Sequence, residues 1–158
     1  MLLHLLRHAD AGDPNAWQGP DAIRPLSAKG RRQSKRLGDQ LAAIGFATDA
    51  IVTSPKIRAE QTADIVGERL GVPVTIDDRL GGGFDLGTLD ELLSDAGDPE
   101  RIIVVGHDPD FSETLSALCG PQLEMKKGAF ARIEVERPLR AGGGALRWLL
   151  PPDALKDR

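Results

Sequence analysis

Four side chains in this sequence have the chemistry to hold and transfer a phosphoryl group. They are Arg7, His8, Arg58 and His107. Arginine carries a planar fork of N–H donors that matches phosphate oxygens, and an imidazole adds another donor. We therefore expect Arg7, Arg58 and His107 to bind a dianionic phosphoryl group. Backbone N–H groups from Asp108 onward, near the start of a helix, are expected to contribute further donors.

Arg7, Arg58 and His107 already account for phosphate binding, so His8 is not needed for it. The surroundings of His8 favour a role as the nucleophile. Neighbouring positive charges disfavour protonation of an imidazole, so the cations around His8 favour its neutral, nucleophilic form. The residues predict that His8 attacks phosphorus in line, that a phosphohistidine forms, and that water hydrolyses it. Catalysis would come from positioning and charge stabilisation. Such a reaction needs neither a metal nor another cofactor.

The hydrophobic pattern predicts elements that bring these side chains together. Short apolar runs alternate with segments of helical spacing, which is typical of an α/β fold. Strands are predicted at 1–6, 49–53, 72–76, 101–105, 129–135 and 145–150, and helices at 28–44, between Pro55 and Gly71, at 88–96 and at 110–119. The predicted fold is a three-layer α/β/α sandwich with a mostly parallel central sheet and an antiparallel strand near the C-terminus. Its parallel strands deliver the four side chains to one edge of the sheet.

The ends of these elements carry local signals. Ser27 is a good N-cap for the first helix, and Thr88 with Glu91 has the spacing of a capping box for the third. Residues 12–25 are rich in Gly, Pro, Asp and Asn, so they are expected to form a loop, and residues 77–87 are expected to form another. We expect one domain over residues 1–150 and a frayed tail over 151–158.

Composition and charge limit the function classes. The chain has 158 residues, a net charge of −4 and a single cysteine, Cys119, which excludes an internal disulfide. A pI near 5.4 argues against a protein that coats nucleic acid, and the basic residues at 29–36 suit a solvated helix face. No stretch has the length of a transmembrane helix, and the N-terminus lacks a secretory signal pattern. The expected location is the cytoplasm.

Four motifs, in order, resemble those of the histidine phosphatase superfamily, which includes the cofactor-dependent phosphoglycerate mutases. They are Leu6-Arg7-His8-Ala9, Leu26-Ser27-Ala28-Lys29-Gly30, Ser54-Pro55-Lys56-Ile57-Arg58-Ala59-Glu60-Gln61-Thr62-Ala63 and Val104-Val105-Gly106-His107. The resemblance covers roughly residues 1–120. It implies that His8 is the phosphorylated residue and that Arg7, Arg58 and His107 line the phosphate pocket.

Two departures from the superfamily pattern bear on the substrate. Ala9 stands where most members have glycine, which resembles the small phosphohistidine phosphatases of the SixA type. Gly82 stands where the mutase and sugar-phosphatase branches have a proton-donating glutamate. An alkoxide leaving group needs a general acid more than a phosphoramidate nitrogen does, so this absence favours a P–N substrate. Asp10, Asp85 and Asp108 stay open as alternative acids.

The predicted function is a metal-independent phosphatase for protein phosphohistidine, and the resemblance implies a histidine-containing phosphotransfer domain as its partner. Three alternatives stay open. One is an enzyme for a small phosphorylated metabolite, either a phosphomonoesterase or a mutase. Another is a metal hydrolase that uses His4, His8, His107 and nearby aspartates, although His4 is expected to be packed or at the surface. The third is a non-catalytic module that binds phosphate or a phosphoprotein.

Overall fold

The computed structural model describes residues 1–156, which contain six strands and four α-helices. The strands are β1 (Leu2–Arg7), β2 (Ala50–Thr53), β3 (Val74–Ile76), β4 (Arg101–Gly106), β5 (Phe130–Val135) and β6 (Gly144–Leu150). The helices are α1 (Ala28–Ala43), α2 (Ile57–Leu70), α3 (Leu86–Asp95) and α4 (Asp110–Cys119). None of these helices is long and apolar enough to cross a membrane. Every predicted strand and helix is found, although several ends differ by one or two residues.

The strands form one sheet in the order β3-β2-β4-β1-β5-β6. The first four in this order are parallel, whereas β5 is antiparallel to both of its neighbours. The predicted mostly parallel sheet with an antiparallel strand near the C-terminus is therefore confirmed. Because β4 lies between β1 and β2, the carboxyl ends of the three strands that precede the predicted site residues are adjacent.

Helices cover both faces of the sheet and bury its apolar strands. On one face Leu37 of α1 and Val66 of α2 pack against β1, β2 and β4. On the other face Leu93 of α3 and Phe111 of α4 pack against the same strands. Each such fully buried side chain stabilises the fold by about 1.5–3 kcal/mol. The three-layer sandwich explains why β4, apart from Arg101, and β1, apart from His4 and Arg7, are apolar, since both of their faces are covered.

The start of α3 differs from the prediction. The N-cap is Asp85 rather than Thr88, because Asp85 Oδ1 accepts hydrogen bonds from Thr88 N at 2.9 Å and from Thr88 Oγ1 at 3.1 Å. An aspartate is a strong N-cap, and its charge also interacts favourably with the helix dipole. The helix therefore begins before Thr88, and the capping-box prediction is wrong.

The predicted loops and tail contain short 3-10 turns. In the first loop these are Pro14–Ala16 and Asp21–Ile23, and in the second it is Asp78–Gly81. Aspartate side chains ahead of two of these turns accept local backbone hydrogen bonds, which favours the turn. Within the predicted tail, Pro152–Leu155 form a 3-10 turn, and Leu155 packs against the α1–α2 face. Residues 157 and 158 lie outside the described residues.

Candidate active site

The carboxyl ends of β1, β2 and β4 form the edge on which the predicted site residues meet. The parallel registers of β4 with β1 and with β2 set these three ends level. The rings of His8 and His107 lie with their centroids 5.1 Å apart, and both side chains are buried. Arg7 and Arg58 are close enough to act on the His8 imidazole electrostatically. The topology thus brings all four side chains together.

His8 is held in the tautomer that leaves its Nε2 free. Nδ1 donates a hydrogen bond to the carbonyl oxygen of Ala9 at 2.7 Å, so the ring lone pair is on Nε2. Burial, with smaller contributions from the charges of Arg58, Arg7 and Lys127, lowers the pKa of His8 to about 4. The imidazole is therefore neutral near pH 7, as predicted, but burial has a larger effect than the neighbouring cations.

His107 is oriented by a serine at the end of β2. Its Nε2 lies 2.7 Å from Ser54 Oγ, which also accepts the backbone N–H of Lys56 at 3.2 Å. The hydroxyl proton of Ser54 is then available to Nε2, which leaves Nδ1 as the N–H donor of the ring. Burial, with the charges of His8 and Arg58, lowers the pKa of His107 to about 3. A neutral imidazole with its N–H on Nδ1 can donate to an anion.

Arg7 is held by a closed polar network at the start of α4. Its Nη1 donates to the carbonyl oxygen of Met125 at 2.7 Å and lies 3.4 Å from Asp108 Oδ2. The Asp108 carboxylate accepts hydrogen bonds from Ser112 N and Ser112 Oγ, and Ser112 Oγ accepts one from Met125 N. The Asp108 carboxylate thus faces Arg7. This geometry leaves the Asp108 backbone N–H, not its side chain, as a phosphate donor of the predicted kind.

Arg58 is held from the first loop by Asp21. Arg58 Nη1 donates to the Asp21 carbonyl oxygen at 2.8 Å, and Arg58 Nη2 donates to Asp21 Oδ2 at 2.9 Å. Both contacts use the outer end of the guanidinium, so the edge that carries Nε stays available for a second bidentate contact. Arg58 is the main cause of a lowered pKa of Asp21, which therefore stays ionised. Asp21 is a partner that the sequence analysis did not identify.

Three buried donors at this site lack partners. Within residues 1–156, the buried side-chain nitrogens without a hydrogen-bond partner are Arg7 Nε, Arg58 Nε and His107 Nδ1. The one buried side-chain oxygen in the same condition, Asp39 Oδ1, is remote from these and lies in an ion pair with Arg69. Unsatisfied buried donors are rare in native structures, and each one calls for an explanation. Their grouping around His8 indicates a ligand with several acceptor oxygens.

The Leu-Ser-x-x-Gly motif fixes the chain just after His8. Ser27 is the N-cap of α1, and its Oγ donates to Asp10 Oδ2 at 2.6 Å. A Cβ on Gly30 would come within 1.9 Å of the Asp10 carbonyl oxygen, so only glycine allows this close approach of α1. The motif therefore positions the backbone that carries His8.

The third motif holds the same backbone from α2. Thr62 Oγ1 accepts the N–H of Ala9 at 3.1 Å, and Gln61 Oε1 accepts the N–H of Leu26 at 2.9 Å. Neither Gln61 nor Thr62 was among the predicted site residues. Their fixed spacing from Arg58 within the motif was the available signal.

Asp10 and Asp85, two of the three alternative acids, accept hydrogen bonds that stabilise their carboxylate forms. Hydrogen bonds from Ser27 lower the pKa of Asp10, and hydrogen bonds from Thr88 lower the pKa of Asp85. Both carboxylates are therefore ionised near pH 7 and hold no proton for a leaving group. Asp108 accepts hydrogen bonds from Ser112 and faces Arg7, as described above. Neither Asp10 nor Asp85 therefore offers a protonated carboxyl group.

His4 belongs to the core rather than to this site. Its ring stacks on Phe130 with centroids 5.3 Å apart, and its Nε2 accepts a hydrogen bond from Arg132 Nε at 3.0 Å. Burial lowers its pKa to about 4. His4 is packed, one of the two placements predicted, and does not join His8 and His107. Within residues 1–156, no three His, Cys, Asp or Glu side chains are grouped to hold a metal ion.

A covered parallel sheet with two histidines and two arginines at its carboxyl edge defines a phosphate-handling α/β protein. A family model for the histidine phosphatase superfamily, branch 1, matches residues 3–96. The chain belongs to the histidine phosphatase superfamily, and it is a phosphatase. The predicted family and enzyme class are thereby confirmed.

Individual relatives resemble the chain over most of its length. An uncharacterized protein of Picosynechococcus sp. is 33% identical over 134 residues, which are 80% of this chain and 81% of that protein. The phosphohistidine phosphatase SixA of Escherichia coli is 26% identical over 163 aligned positions, which cover 99% of this chain and 97% of that protein. A structure of the protein histidine phosphatase SixA complexed with tungstate has a TM-score of 0.84 and 25% identity, and the match covers 99% of this chain and 100% of that chain.

Proposed function

We propose that this protein hydrolyses protein phosphohistidine without a metal ion, through a phosphorylated His8. The observation that carries the proposal is the set of unpartnered buried donors on Arg7, Arg58 and His107 beside an imidazole whose Nε2 is free. A buried donor costs about 1–3 kcal/mol when it stays unpaired, so these donors favour binding of a group with several acceptor oxygens. A phosphoryl group supplies those oxygens and an electrophilic phosphorus for Nε2.

The reaction has two displacements at phosphorus. In the first, the lone pair of His8 Nε2 forms a bond to phosphorus while the bond from phosphorus to the leaving nitrogen breaks, and the leaving imidazole takes a proton from water. In the second, water attacks phosphorus, and the bond to Nε2 breaks with its electron pair returning to Nε2. Inorganic phosphate leaves with one proton of that water, and the other proton neutralises the hydroxide formed in the first displacement. Arg7, Arg58 and His107 stabilise the charge on the equatorial oxygens. The Ala9 carbonyl stabilises the positive charge on the His8 ring in the intermediate.

The state of the carboxyl groups favours a phosphoramidate substrate. Asp10 and Asp85 are ionised, and Gly82 carries no acid, so none of them protonates an alkoxide leaving group. A phosphoramidate nitrogen departs with less help from an acid. The similarity to SixA, a phosphohistidine phosphatase, supports the same substrate class.

The surface around the site favours a protein as the carrier of the phosphohistidine. Residues 12–23, which include the Asp21 contact to Arg58, are all exposed. A small metabolite is usually enclosed by its pocket, whereas a protein substrate needs an approach from solvent. A phosphotransfer domain that carries phosphohistidine is the partner that we propose.

The test compares three substrates in the presence of a chelator. Phosphate release is measured from a phosphohistidine-bearing phosphotransfer domain, a phosphoserine peptide and an aryl phosphate, with the wild type and with His8→Ala. We expect the wild type to release phosphate from the phosphohistidine substrate in the presence of the chelator. His8→Ala should release none, and circular dichroism serves as the control that this variant is folded. The phosphoenzyme should be lost in acid and persist in base.

Each contrary result removes a different part of the proposal. Preference for the esters would identify a metabolite phosphatase with another proton donor. An acid-stable adduct would exclude His8 as the phosphorylated residue. Loss of activity in chelator would exclude the metal-independent reaction, and absence of turnover on every substrate would leave a binding module.

A further inference from the structure

A cavity of about 270 Å³ borders the phosphate site on the side of Arg7. Its other basic residues are Lys29 at the start of α1, and Lys126 and Lys127 ahead of β5. We call it the lysine cavity. Because Arg7 belongs both to this cavity and to the phosphate site, a group bound in the cavity would lie directly beside the phosphoryl group.

Two of the three carboxylates that line the lysine cavity have other partners. Asp10 accepts hydrogen bonds from Ser27 and Gly12 and lies 4.0 Å from Lys127, and Asp153 pairs with Lys156 at 2.7 Å. The third carboxylate is that of Glu124. Within residues 1–156, neither Lys29 nor Lys126 has a carboxylate within 4.0 Å, and both are exposed. Lys29 and Lys126 act on the Asp153 carboxylate only through their charges, without an ion pair, so both ammonium groups are available to an anionic ligand.

A second cavity, of about 620 Å³, is acidic. It is lined by Asp108, Glu113 and Glu124 together with polar and apolar groups of α4 and residues 122–123, and Glu124 also lines the lysine cavity. The chain as a whole also carries a net charge of −4, so it repels an acidic partner everywhere except at local basic surface. The lysine cavity and the second cavity thus differ in charge. This difference favours one orientation of a substrate that extends over both cavities.

We propose that the lysine cavity binds an acidic side chain of the phosphorylated protein, located on one side of its phosphohistidine. This inference rests on the proposed function, since it assumes a protein substrate. The ligand chemistry is a carboxylate of Asp or Glu, held by Lys29 and Lys126. Charge complementarity of this kind acts mainly on association rate and register, and it weakens as ionic strength rises.

The test uses three synthetic phosphohistidine peptides that differ only in charge. One carries two aspartates before the phosphohistidine, one carries them after it, and one carries glutamines at all these positions. The enzymes are the wild type, Lys29→Gln/Lys126→Gln, and a control of equal charge change, Lys35→Gln/Arg140→Gln, whose residues are exposed and line neither cavity. Binding to the same proteins with His8→Ala, measured by fluorescence anisotropy, reports on the cavity without turnover.

We expect the wild type and the control to prefer one of the two acidic peptides over the neutral one by at least about fivefold in kcat/KM at low ionic strength. Lys29→Gln/Lys126→Gln should lose this preference and hydrolyse the neutral peptide as the wild type does. Equal use of the three peptides by the wild type, or a preference that survives in the double variant, would overturn the proposal. If no peptide is hydrolysed but acid-dependent binding persists, the proposed function fails and the lysine cavity stands.

Discussion

One hydrogen bond to each ring prepares the two histidines of the site for different tasks. The Ala9 carbonyl oxygen accepts a hydrogen bond from the protonated Nδ1 of His8, so the lone pair of the ring lies on Nε2. The Ser54 hydroxyl engages Nε2 of His107, which leaves Nδ1 as a donor. Both rings are neutral because burial disfavours the imidazolium. Residue type alone does not distinguish them, since the roles depend on which nitrogen each partner reaches.

Ser54→Ala tests the assignment of the His107 tautomer. Loss of this hydrogen bond leaves the ring free to rotate and to carry its proton on either nitrogen, so a phosphate donor is weakened. We expect kcat/KM to fall by about 10- to 100-fold, the loss that corresponds to about 1.4–2.8 kcal/mol. Ser34→Ala, which removes a buried hydroxyl bonded only to Gly30 O, serves as the control. Unchanged kinetics in Ser54→Ala would show that Ser54 does not orient His107.

Asp21→Ala tests whether the first loop positions Arg58. Two Asp21 groups hold Arg58, the carbonyl oxygen and the carboxylate, and we call this pair of contacts the Asp21 clamp. The variant removes the carboxylate contact, so the Arg58 guanidinium should sample more orientations and bind phosphate less tightly. We expect the inhibition constant of vanadate to rise about tenfold, in line with the loss of a charge-assisted hydrogen bond. Asp13→Ala, in the same loop but bonded to Asn15 N, should leave it unchanged. Tighter vanadate binding would instead identify Asp21 as an internal competitor for Arg58.

At the scale of elements, the predictable part of the fold is the part that burial dictates. β1 and β4 are covered on both faces, so their sequences are mostly apolar, and Gly71 marks the end of α2 with a positive φ of 70°. The start of α3 was not predictable, because Asp85 and Thr88 are both good caps. The segment just ahead of Asp85 is held by a tertiary contact, in which Gly83 N donates to Asp110 Oδ2, and the sequence does not show this contact.

The candidate site was predictable to the extent that its residues end strands. Arg7 is the last residue of β1, and His8 and His107 follow β1 and β4 directly, so the parallel sheet alone brings them together. The partner of Arg58 was not predictable, because the path of residues 12–25 is set by contacts between distant side chains and backbone. One such contact is the hydrogen bond from Arg24 to the carbonyl oxygen of Ala11.

Gly30→Ala tests the close approach of α1 to the chain that follows His8. The new methyl group would overlap the Asp10 carbonyl oxygen, so α1 or the Asp10 backbone must move. We expect the free energy of unfolding to fall by about 3 kcal/mol, with a loss of activity in the protein that remains folded. Gly87→Ala in α3, where a Cβ meets only Asp85 Oδ1 at 3.4 Å, is the control and should be close to neutral. Equal stability of the two variants in urea would contradict this account of the motif.

At the scale of the whole molecule, the fold buries three histidines in their neutral form. His4 lies in the core of the sheet, and His8 and His107 lie at its carboxyl edge. Burial lowers the pKa of His4 and of His8 to about 4 and that of His107 to about 3, whereas the unfolded value is 6.5. The unfolded chain therefore binds these protons first when the pH falls.

This difference predicts that stability falls below pH 6.5. Between pH 6.5 and about 4, each of the three histidines lowers the free energy of unfolding by up to about 1.4 kcal/mol per pH unit, because the unfolded state takes up a proton that the folded state does not. Aspartates with lowered pKa values, such as Asp10, lose their contribution only at lower pH, from 3.8 downward. Urea unfolding at pH 7.5, 6, 5.5 and 5 measures the slope. His8→Ala should have a smaller slope, and equal slopes would remove His8 from the set.

The order of the strands also determines how long each part of the site stays intact. β4 and β1 are in the middle of the sheet, whereas residues 12–23 are exposed throughout. Backbone amides of the central strands should exchange with solvent deuterium only through openings that approach global unfolding, and those of the loop through small local fluctuations. His8 and His107 follow the slowly exchanging strands, while the clamp on Arg58 belongs to the rapidly exchanging loop. His8 and His107 are therefore expected to keep their positions until the whole fold opens. The Asp21 contacts that hold Arg58 are expected to break and re-form whenever the loop fluctuates.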